Sequence, residues 1–130
     1  DASGIPPEVQ RLADQIRNAD AVVISTPEYN KSLSGVLKNA LDWVSRVPGS
    51  AWRDRPVAIV SAADSRGGGD RAQFALRLCM VAFRPRLLAG PEVMVASSRK
   101  AFDTNGRLLD SVTVKVLIEL MQSLRAEAMR

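Results

Sequence analysis

Two short apolar runs, each followed by a polar loop and then by a helical pattern, restrict this chain to few folds. The runs Ala21-Val22-Val23-Ile24 and Pro56–Ala62 contain many β-branched residues and no charged residue. Continuous apolar runs of this kind are typical of strands that are buried on both faces of a parallel sheet. The sequence therefore predicts an α/β fold in which helices cover both faces of a parallel sheet.

Apolar residues at helical spacing predict four helices around these strands. We expect the first from Pro7 to Asn18, the second from about Ser34, and the third from about Asp70 to Phe83, with Asp70 as its cap. A third strand is expected at Glu92–Ala96, and Asn105-Gly106 predicts a tight turn. The expected inner faces of the third and closing helices are Phe74, Leu78, Val81 and Ala82, and Leu109, Val112, Val116, Leu120 and Leu124.

Composition sets the class of protein. The chain has 130 residues, of which 46% are hydrophobic, so one domain with a sizeable core is expected. It has no histidine and one cysteine, which excludes disulfides, metal sites built from several Cys or His ligands, and histidine acid–base catalysis. We interpret Cys79 as a small buried side chain, and this cysteine usage favours a reducing, cytoplasmic location.

Charge and hydropathy indicate neither nucleic acid nor a membrane as partner. The formal net charge is +4, but the basic residues are scattered rather than gathered into a stripe, and few aromatic residues are present to stack on bases. The longest apolar runs are far shorter than the roughly 20 residues that span a bilayer.

The first loop, from Thr26 to Ser34, is more polar than a connection requires. Glu28 and Asn30 bring hydrogen-bonding groups, and Tyr29 offers a flat ring that can form one wall of a planar ligand site. The start of the next helix favours an electron-rich partner. A capped turn without a ligand is the alternative interpretation of the same residues.

The second loop, from Ala63 to Asp70, contains three successive glycines, Gly67 to Gly69. Glycines allow a backbone to approach a ligand closely, although a flexible turn would have the same composition. In parallel α/β sheets, ligands bind at the carboxyl ends of the strands. Both loops leave strands at that end, so we expect them to form one site.

The stretch "TPEYNKSLSGVLKNALDW", the later "GGDRAQ" and the "PEVM" that follows strongly resemble the NADPH-dependent FMN reductase family, which includes quinone and chromate reductases. The resemblance implies a flavodoxin-like, three-layer α/β/α fold with five parallel strands that carries FMN. It also implies that FMN receives a hydride from NADPH and passes electrons to a small-molecule acceptor such as a quinone.

The resemblance assigns candidate site residues in both loops and implies an assembly of subunits. The cofactor-binding residues that it implies are Pro27, Glu28, Tyr29 and Asn30 in the first loop, and Ser61, Ala63, Asp64 and Gly67 in the second. It assigns no catalytic side chain and no metal ligand. A homodimer or homotetramer is implied, with Trp43 and Trp52 among the apolar residues between subunits.

Three departures from the family pattern bear on flavin binding. Ser34-Gly35 replaces the usual Pro-Gly, which we expect to loosen the start of the helix. Ala63-Asp64-Ser65 replaces the usual Ser-Pro-Gly and brings a carboxylate near the expected flavin, which Arg66 could offset. The family's first strand and its glycine-serine-arginine phosphate loop have no counterpart in the sequence. We therefore expect residues 1–130 to be a single domain that is N-terminally incomplete.

These departures leave other functions open. One is a flavodoxin-like binding or assembly domain that has lost FMN, and another is an electron carrier that does not oxidise NADPH. The sequence gives neither the physiological acceptor nor the preference between NADH and NADPH.

Overall fold

The computed structural model describes residues 4–130, which form four helices and four strands. Two short 3-10 turns follow α3 and β4, at Val81–Phe83 and Ser98–Lys100. In chain order, the elements are α1 (Pro7–Asn18), β1 (Val22–Thr26), α2 (Gly35–Ser45), β2 (Pro56–Ala62), α3 (Asp70–Met80), β3 (Arg86–Leu87), β4 (Val93–Val95) and α4 (Ser111–Ala128).

Local signals in the sequence explain where the helices begin. Pro7 occupies the first position of α1, where a missing N–H is tolerated. Ser34 caps α2 by accepting a hydrogen bond from the Leu37 N–H at 3.2 Å. The expectation that Ser34-Gly35 loosens this helix start is therefore wrong, because the serine supplies a cap that proline cannot.

Asp110 caps the long closing helix α4. Its carboxylate accepts hydrogen bonds from the Thr113 hydroxyl at 2.6 Å and from the Thr113 N–H at 3.0 Å. These two bonds, the hydroxyl bond first, hold the pKa of the Asp110 carboxyl below its ordinary value. The cap is therefore strongest above the ordinary carboxyl pKa and weakens as acid protonates Asp110.

The sheet is parallel, with β2 in its centre. One edge of β2 pairs with all of β1, from Val22 opposite Val57 to Thr26 opposite Ser61. The other edge pairs first with β3 and then with β4. β3 and β4 therefore act as one strand interrupted by a loop, and the sequence-based expectation of a single strand here, Glu92–Ala96, missed the β3 part.

Helices cover the two faces of the sheet, which confirms the predicted three-layer α/β/α architecture. On one face, α1, α2 and α3 pack on β1 and β2, and on the other face α4 packs on β2 and β4. The first core includes Ala13, Ile16, Ile24, Leu41, Val44, Val57, Ile59, Leu76 and Met80. The second core includes Ala58, Leu88, Val93, Leu120 and Leu124.

The expectation that β1 is buried on both faces is wrong for the described part of the chain. Ile24 is buried, but Val23 is 45% exposed and Ser25 is also exposed. Val23 lies opposite Ala58, on the face that α4 covers over β2 and β4. Among the described residues, β1 pairs only with β2, so its outer edge and part of one face are uncovered.

The expected inner faces of two helices also need correction. Phe74 and Leu78 in α3 are exposed, and so are Val81 and Ala82 in the 3-10 turn that follows. The residues of α3 that face the core are Ala72, Gln73, Leu76 and Met80. In α4, Leu120 and Leu124 are buried as expected, but Val112 is exposed, and so is Leu109, which precedes the helix. The apolar stripe of Phe74, Leu78 and Val81 thus faces away from the sheet. The fully buried Gln73 lies on the inner side instead.

Cys79 is half-buried against the first core, whereas the sequence had predicted a buried side chain. Between residues 4 and 130, no helix combines the length and apolar character needed to cross a bilayer.

Candidate functional site

Three loops meet at the carboxyl edge of the sheet. Thr26, Ser61 and Met94 lie opposite one another on neighbouring strands, each at or near the end of its strand. The chain segments that follow them, 27–34, 63–69 and 96–110, therefore begin side by side, about 5 Å apart from strand to strand. The sequence predicted the first two segments at this edge, whereas the third was not anticipated as part of the site.

The first loop contains a tight two-residue turn. Tyr29 and Ser32 exchange backbone hydrogen bonds of 2.9 and 3.1 Å, and Asn30 and Lys31 between them have φ values of 52° and 68°. Positive φ at both central positions is typical of a type I′ turn. Lys31 is costly there because its Cβ crowds the backbone, and such strain is often found at binding sites.

This turn presents an aromatic ring to solvent. The Tyr29 side chain is 62% exposed, although tyrosine usually buries much of its ring. Asn30 is exposed beside it, and Pro27 is half-buried at the base of the loop, where its carbonyl accepts a hydrogen bond from the Thr26 hydroxyl. An uncovered ring beside a polar amide is a surface on which a planar ligand can stack.

Glu28 points the other way, into the protein. Its Oε1 accepts a hydrogen bond of 2.9 Å from the backbone N–H of Ala72, in the first turn of α3. This bond links the first loop to α3, the helix that follows the second loop. Glu28 is thus placed between the two loops rather than at the exposed turn.

The second loop is held by a buried hydrogen-bond network that centres on Ser61. The Ser61 hydroxyl donates to the Gly68 carbonyl at 2.7 Å and accepts a bond from Gln73 Nε2 at 2.8 Å. Gln73 Nε2 also donates to the Val93 carbonyl at 2.8 Å. Ser61 was predicted to contact a cofactor, but its hydroxyl hydrogen is directed at the loop backbone, so it shapes the loop from below.

Close backbone packing explains the run of glycines. A Cβ on Gly68 would lie 2.8–2.9 Å from backbone atoms of Met94, Val95 and Ala96, and one on Gly69 would lie 2.7 Å from the Ser61 side chain. A Cβ on Gly67 would collide with the Asp70 carboxylate. Gly68 and Gly69 therefore permit the loop to lie on β4 and Ser61, whereas the Asp70 side chain could move away from a Cβ on Gly67. Composition alone did not distinguish this close packing from ligand contact.

Two expectations about aspartates are corrected here. Gly69 caps α3 with φ 95°, and Asp70 is the first residue of the helix, so Asp70 is not the cap. Asp64 pairs with Arg99 of the third segment rather than with Arg66, at 3.4 Å between Nε and Oδ2. Both members of this pair are exposed, so we expect it to add little stability.

The third segment completes the edge. The Ala63 N–H donates to the Val95 carbonyl, and the Ser98 N–H donates to the Ala63 carbonyl, so the second and third segments are joined at Ala63. Within residues 4–130, the backbone N–H groups of Asp64, Ser65 and Arg66 donate to no other residue. These donors and the exposed Tyr29 ring suit an electron-rich planar group with carbonyl oxygens on its edge, as the isoalloxazine ring of FMN has.

Basic side chains surround the three loops. Lys31, Arg66, Arg71, Arg99 and Lys100 are all exposed at this edge. Four aspartates lie in or next to the same segments, Asp64, Asp70, Asp103 and Asp110, and Asp64 pairs with Arg99, so the excess of positive charge is small. Single exposed basic side chains at this edge can still pair with a phosphate.

Comparison with known proteins gives a consistent picture. The sequence profile described as NADPH-dependent FMN reductase matches residues 1–100. The chain is 46% identical over 124 residues to an NAD(P)H-dependent FMN reductase of Pseudomonas aeruginosa, which covers 95% of this chain and 67% of that protein. It is 39% identical over 127 residues to an NADPH:quinone oxidoreductase of Arabidopsis thaliana, covering 96% of this chain and 64% of that protein.

The fold comparison agrees. The flavoenzyme FerB, an NAD(P)H:(acceptor) oxidoreductase from Paracoccus denitrificans, superposes with a TM-score of 0.80 at 31% identity, over 97% of this chain and 68% of FerB. This chain spans about two thirds of the length of the relatives that it matches.

Proposed function

Because the chain belongs to the NADPH-dependent FMN reductase family, we propose that it carries the flavin-ring and substrate part of an NAD(P)H-dependent oxidoreductase. Members of this family are oxidoreductases that use FMN. We propose the activity of this chain from its membership in the family. The observation that carries the proposal is the position of the exposed Tyr29 ring and of the Asp64 to Arg66 N–H groups at one edge of a parallel sheet. These N–H groups have no acceptor in the part of the chain that the structure describes.

We assign separate roles to the groups at this edge. Tyr29 forms one wall for the ring, and Asn30 and the backbone N–H groups of the second loop donate to its polar edge. The exposed basic side chains attract the phosphates of NADPH. Bound FMN would supply the redox chemistry, receiving a hydride from NADPH and passing two electrons, with protons from solvent, to a quinone-like acceptor. No side chain needs to act as acid or base.

FMN titration tests this proposal. We expect the protein to quench the fluorescence of FMN on binding, and Tyr29→Ala to weaken binding about tenfold because the ring loses its wall. Tyr29→Phe is the matched control, since it keeps the ring and removes only the hydroxyl. Equal affinity in all three proteins would contradict the role of Tyr29. No binding by these proteins, nor by a longer chain that adds a strand and a phosphate loop, would favour a flavodoxin-like assembly domain instead.

NADPH consumption separates a reductase from an electron carrier. With FMN and a quinone present, a reductase consumes NADPH at steady state, whereas a carrier that only exchanges electrons with partner proteins does not. The same assay with NADH gives the preference between the two nucleotides.

The open edge of β1 leads us to propose that the domain's sheet continues past β1. A parallel strand placed there would cover the partly exposed Val23 and remove an unpaired strand edge. The titration is therefore made on this chain and on a longer chain that adds a strand and a phosphate loop. Binding by the longer chain alone would support this view, and equal binding by both would contradict it.

We also propose a homodimer or homotetramer, assembled through α3. The expected role of Trp52 in such contacts is wrong, because Trp52 is only 5% exposed and lies in the first core, and Trp43 is only half-exposed. The exposed stripe of Phe74, Leu78 and Val81 is the better candidate, since exposed apolar helix faces are typical of interfaces.

Sedimentation of a Leu78→Lys variant tests this proposal. We expect the unchanged protein to sediment as an oligomer at micromolar concentration and Leu78→Lys to dissociate it, because a charge would be buried at the contact. Val112→Lys, at a similarly exposed apolar position on α4, is the matched control. A monomeric unchanged protein would overturn the proposal.

A further inference from the structure

The start of α3 depends on a residue from a distant part of the chain. The first N–H groups of a helix have no partner inside the helix. In α3, the partner of the Ala72 N–H is Glu28 Oε1, 44 residues earlier in the chain. The other three donors in the first turn have local acceptors: Asp70 donates to Gly67, Arg71 to the Asp70 carboxylate, and Gln73 to Gly69.

No other described group replaces Glu28 in this role. The cap residue Gly69 has no side chain that could accept from the helix, and Ala72 is fully buried, out of reach of water. Without the carboxylate, the Ala72 N–H would be buried and unpaired, which is unfavourable. The negative charge of Glu28 is also favoured at this position by the positive end of the helix dipole.

The same bond restrains the turn that carries Tyr29. Glu28 directly precedes Tyr29, and among residues 4–130 the backbone bonds of Tyr29 go only to Ser32 within the turn. The largely exposed Tyr29 ring has little packing to hold it. On the other side of the turn, Leu33 packs against the first core. The Glu28 carboxylate therefore supplies the long-range hydrogen bond that fixes the Tyr29 side of the turn to the body of the domain.

We propose that Glu28 is a positioning residue, which attaches the Tyr29 turn to the first turn of α3 and so orders the flavin site before FMN binds. This differs from the expectation that Glu28 lines the ring. The proposal for Glu28 rests on the proposed function in one respect, namely that the Tyr29 turn contacts the flavin. The attachment itself is a property of the protein without cofactor, and it sets the distance between the first and second loops.

The single tyrosine of the chain makes this attachment measurable. Protein labelled with 3-fluorotyrosine gives one ¹⁹F resonance, from position 29, and amide exchange reports the Ala72 N–H. Both are recorded without FMN on the unchanged protein, Glu28→Ala and Glu28→Gln. The matched control is Glu119→Ala, which removes an exposed glutamate from α4.

We expect Glu28→Ala to speed exchange of the Ala72 amide about tenfold and to shift and sharpen the ¹⁹F resonance towards that of a mobile tyrosine. Glu28→Gln keeps an acceptor oxygen, so its Ala72 exchange rate and ¹⁹F resonance should stay close to those of the unchanged protein. A general loss of stability would not explain this difference between Glu28→Ala and Glu28→Gln. Glu119→Ala should leave both signals unchanged. Should Glu28→Ala fail to fold, Glu28→Asp takes its place, because its side chain is one methylene too short to reach Ala72.

FMN affinity then connects the attachment to function. Glu28→Ala is expected to bind FMN about tenfold more weakly than Glu28→Gln. Unchanged ¹⁹F and Ala72 signals in Glu28→Ala would overturn the inference whatever the affinities are. If those signals respond as expected but FMN binds neither to this chain nor to the longer chain that adds a strand and a phosphate loop, the attachment stands and the proposed function fails. The two failures are therefore distinguishable.

Discussion

Replacement of Gly68 by alanine is expected to lower the free energy of unfolding by about 3 kcal/mol, one of the two largest effects that we predict. Gly68 has φ +60°, and its new Cβ would lie 2.8–2.9 Å from backbone atoms of Met94, Val95 and Ala96. Because these atoms belong to β4 and the residue after it, they cannot move aside as a flexible side chain could. The second loop would have to lift from the sheet.

Gly106→Ala is the matched control for this change. Gly106 also has a positive φ, +81°, but no described residue has an atom within 4 Å of its expected Cβ. The free energy of unfolding of Gly106→Ala should therefore fall only by the cost of a left-handed alanine, about 1–2 kcal/mol. Urea unfolding of both variants measures the difference, which isolates the close packing on β4. An equal loss in the two variants would contradict the close approach of the second loop.

Replacement of Gln73 by alanine should have a similar effect, also about 3 kcal/mol, for a different reason. Gln73 is fully buried, and its side-chain amide donates to Ser61 and to the Val93 carbonyl. Alanine would leave a cavity and remove the donor that these two acceptors share. Since the amide joins α3, β2 and β4, its loss should also loosen the second loop.

Gln122→Ala on the exposed side of α4 provides the comparison, because it removes the same side chain from a helix without breaking a buried network. We expect its free energy of unfolding to stay within about 0.5 kcal/mol of the unchanged protein. Thermal or urea unfolding is sufficient for both proteins. If Gln73→Ala were as stable as Gln122→Ala, the buried network would have no structural role.

Both predictions concern residues that support the site without facing a ligand. Ser61, Gly68 and Gln73 hold the second loop on the sheet, while Glu28 holds the first loop on α3. The exposed groups, Tyr29 and the N–H donors of the second loop, are thereby placed on a rigid support. Such support reduces the ordering needed when a ligand binds.

Element positions were largely predictable from the sequence. The predicted first helix coincides with α1, and the apolar run Pro56–Ala62 coincides with β2. The Asn105-Gly106 turn is present, with the Gly106 N–H donating to the Asp103 carbonyl. These features follow from proline, glycine and periodic apolar residues, whose effects act over a few neighbouring residues.

The orientation of α3 was not predictable. Two sets of residues at helical spacing were available, Phe74–Leu78–Val81 and Ala72–Leu76–Met80, and the more hydrophobic first set was expected to face the core. The structure buries the second set together with Gln73. The choice depends on close packing against β2 and on donors for Ser61 and Val93, neither of which appears in the pattern of α3 itself.

The sequence by itself determined the α/β class, the bounds of most helices and strands, and the two loops that follow β1 and β2, because these depend on short-range steric and hydrophobic preferences. Only the tertiary structure decided that a third segment joins the site, that Asp64 pairs with Arg99, and that Glu28 turns inward to Ala72. Those partners lie 35 and 44 residues apart in the chain. Contacts at such separations are fixed by the register of parallel strands, which brings their carboxyl ends to one edge.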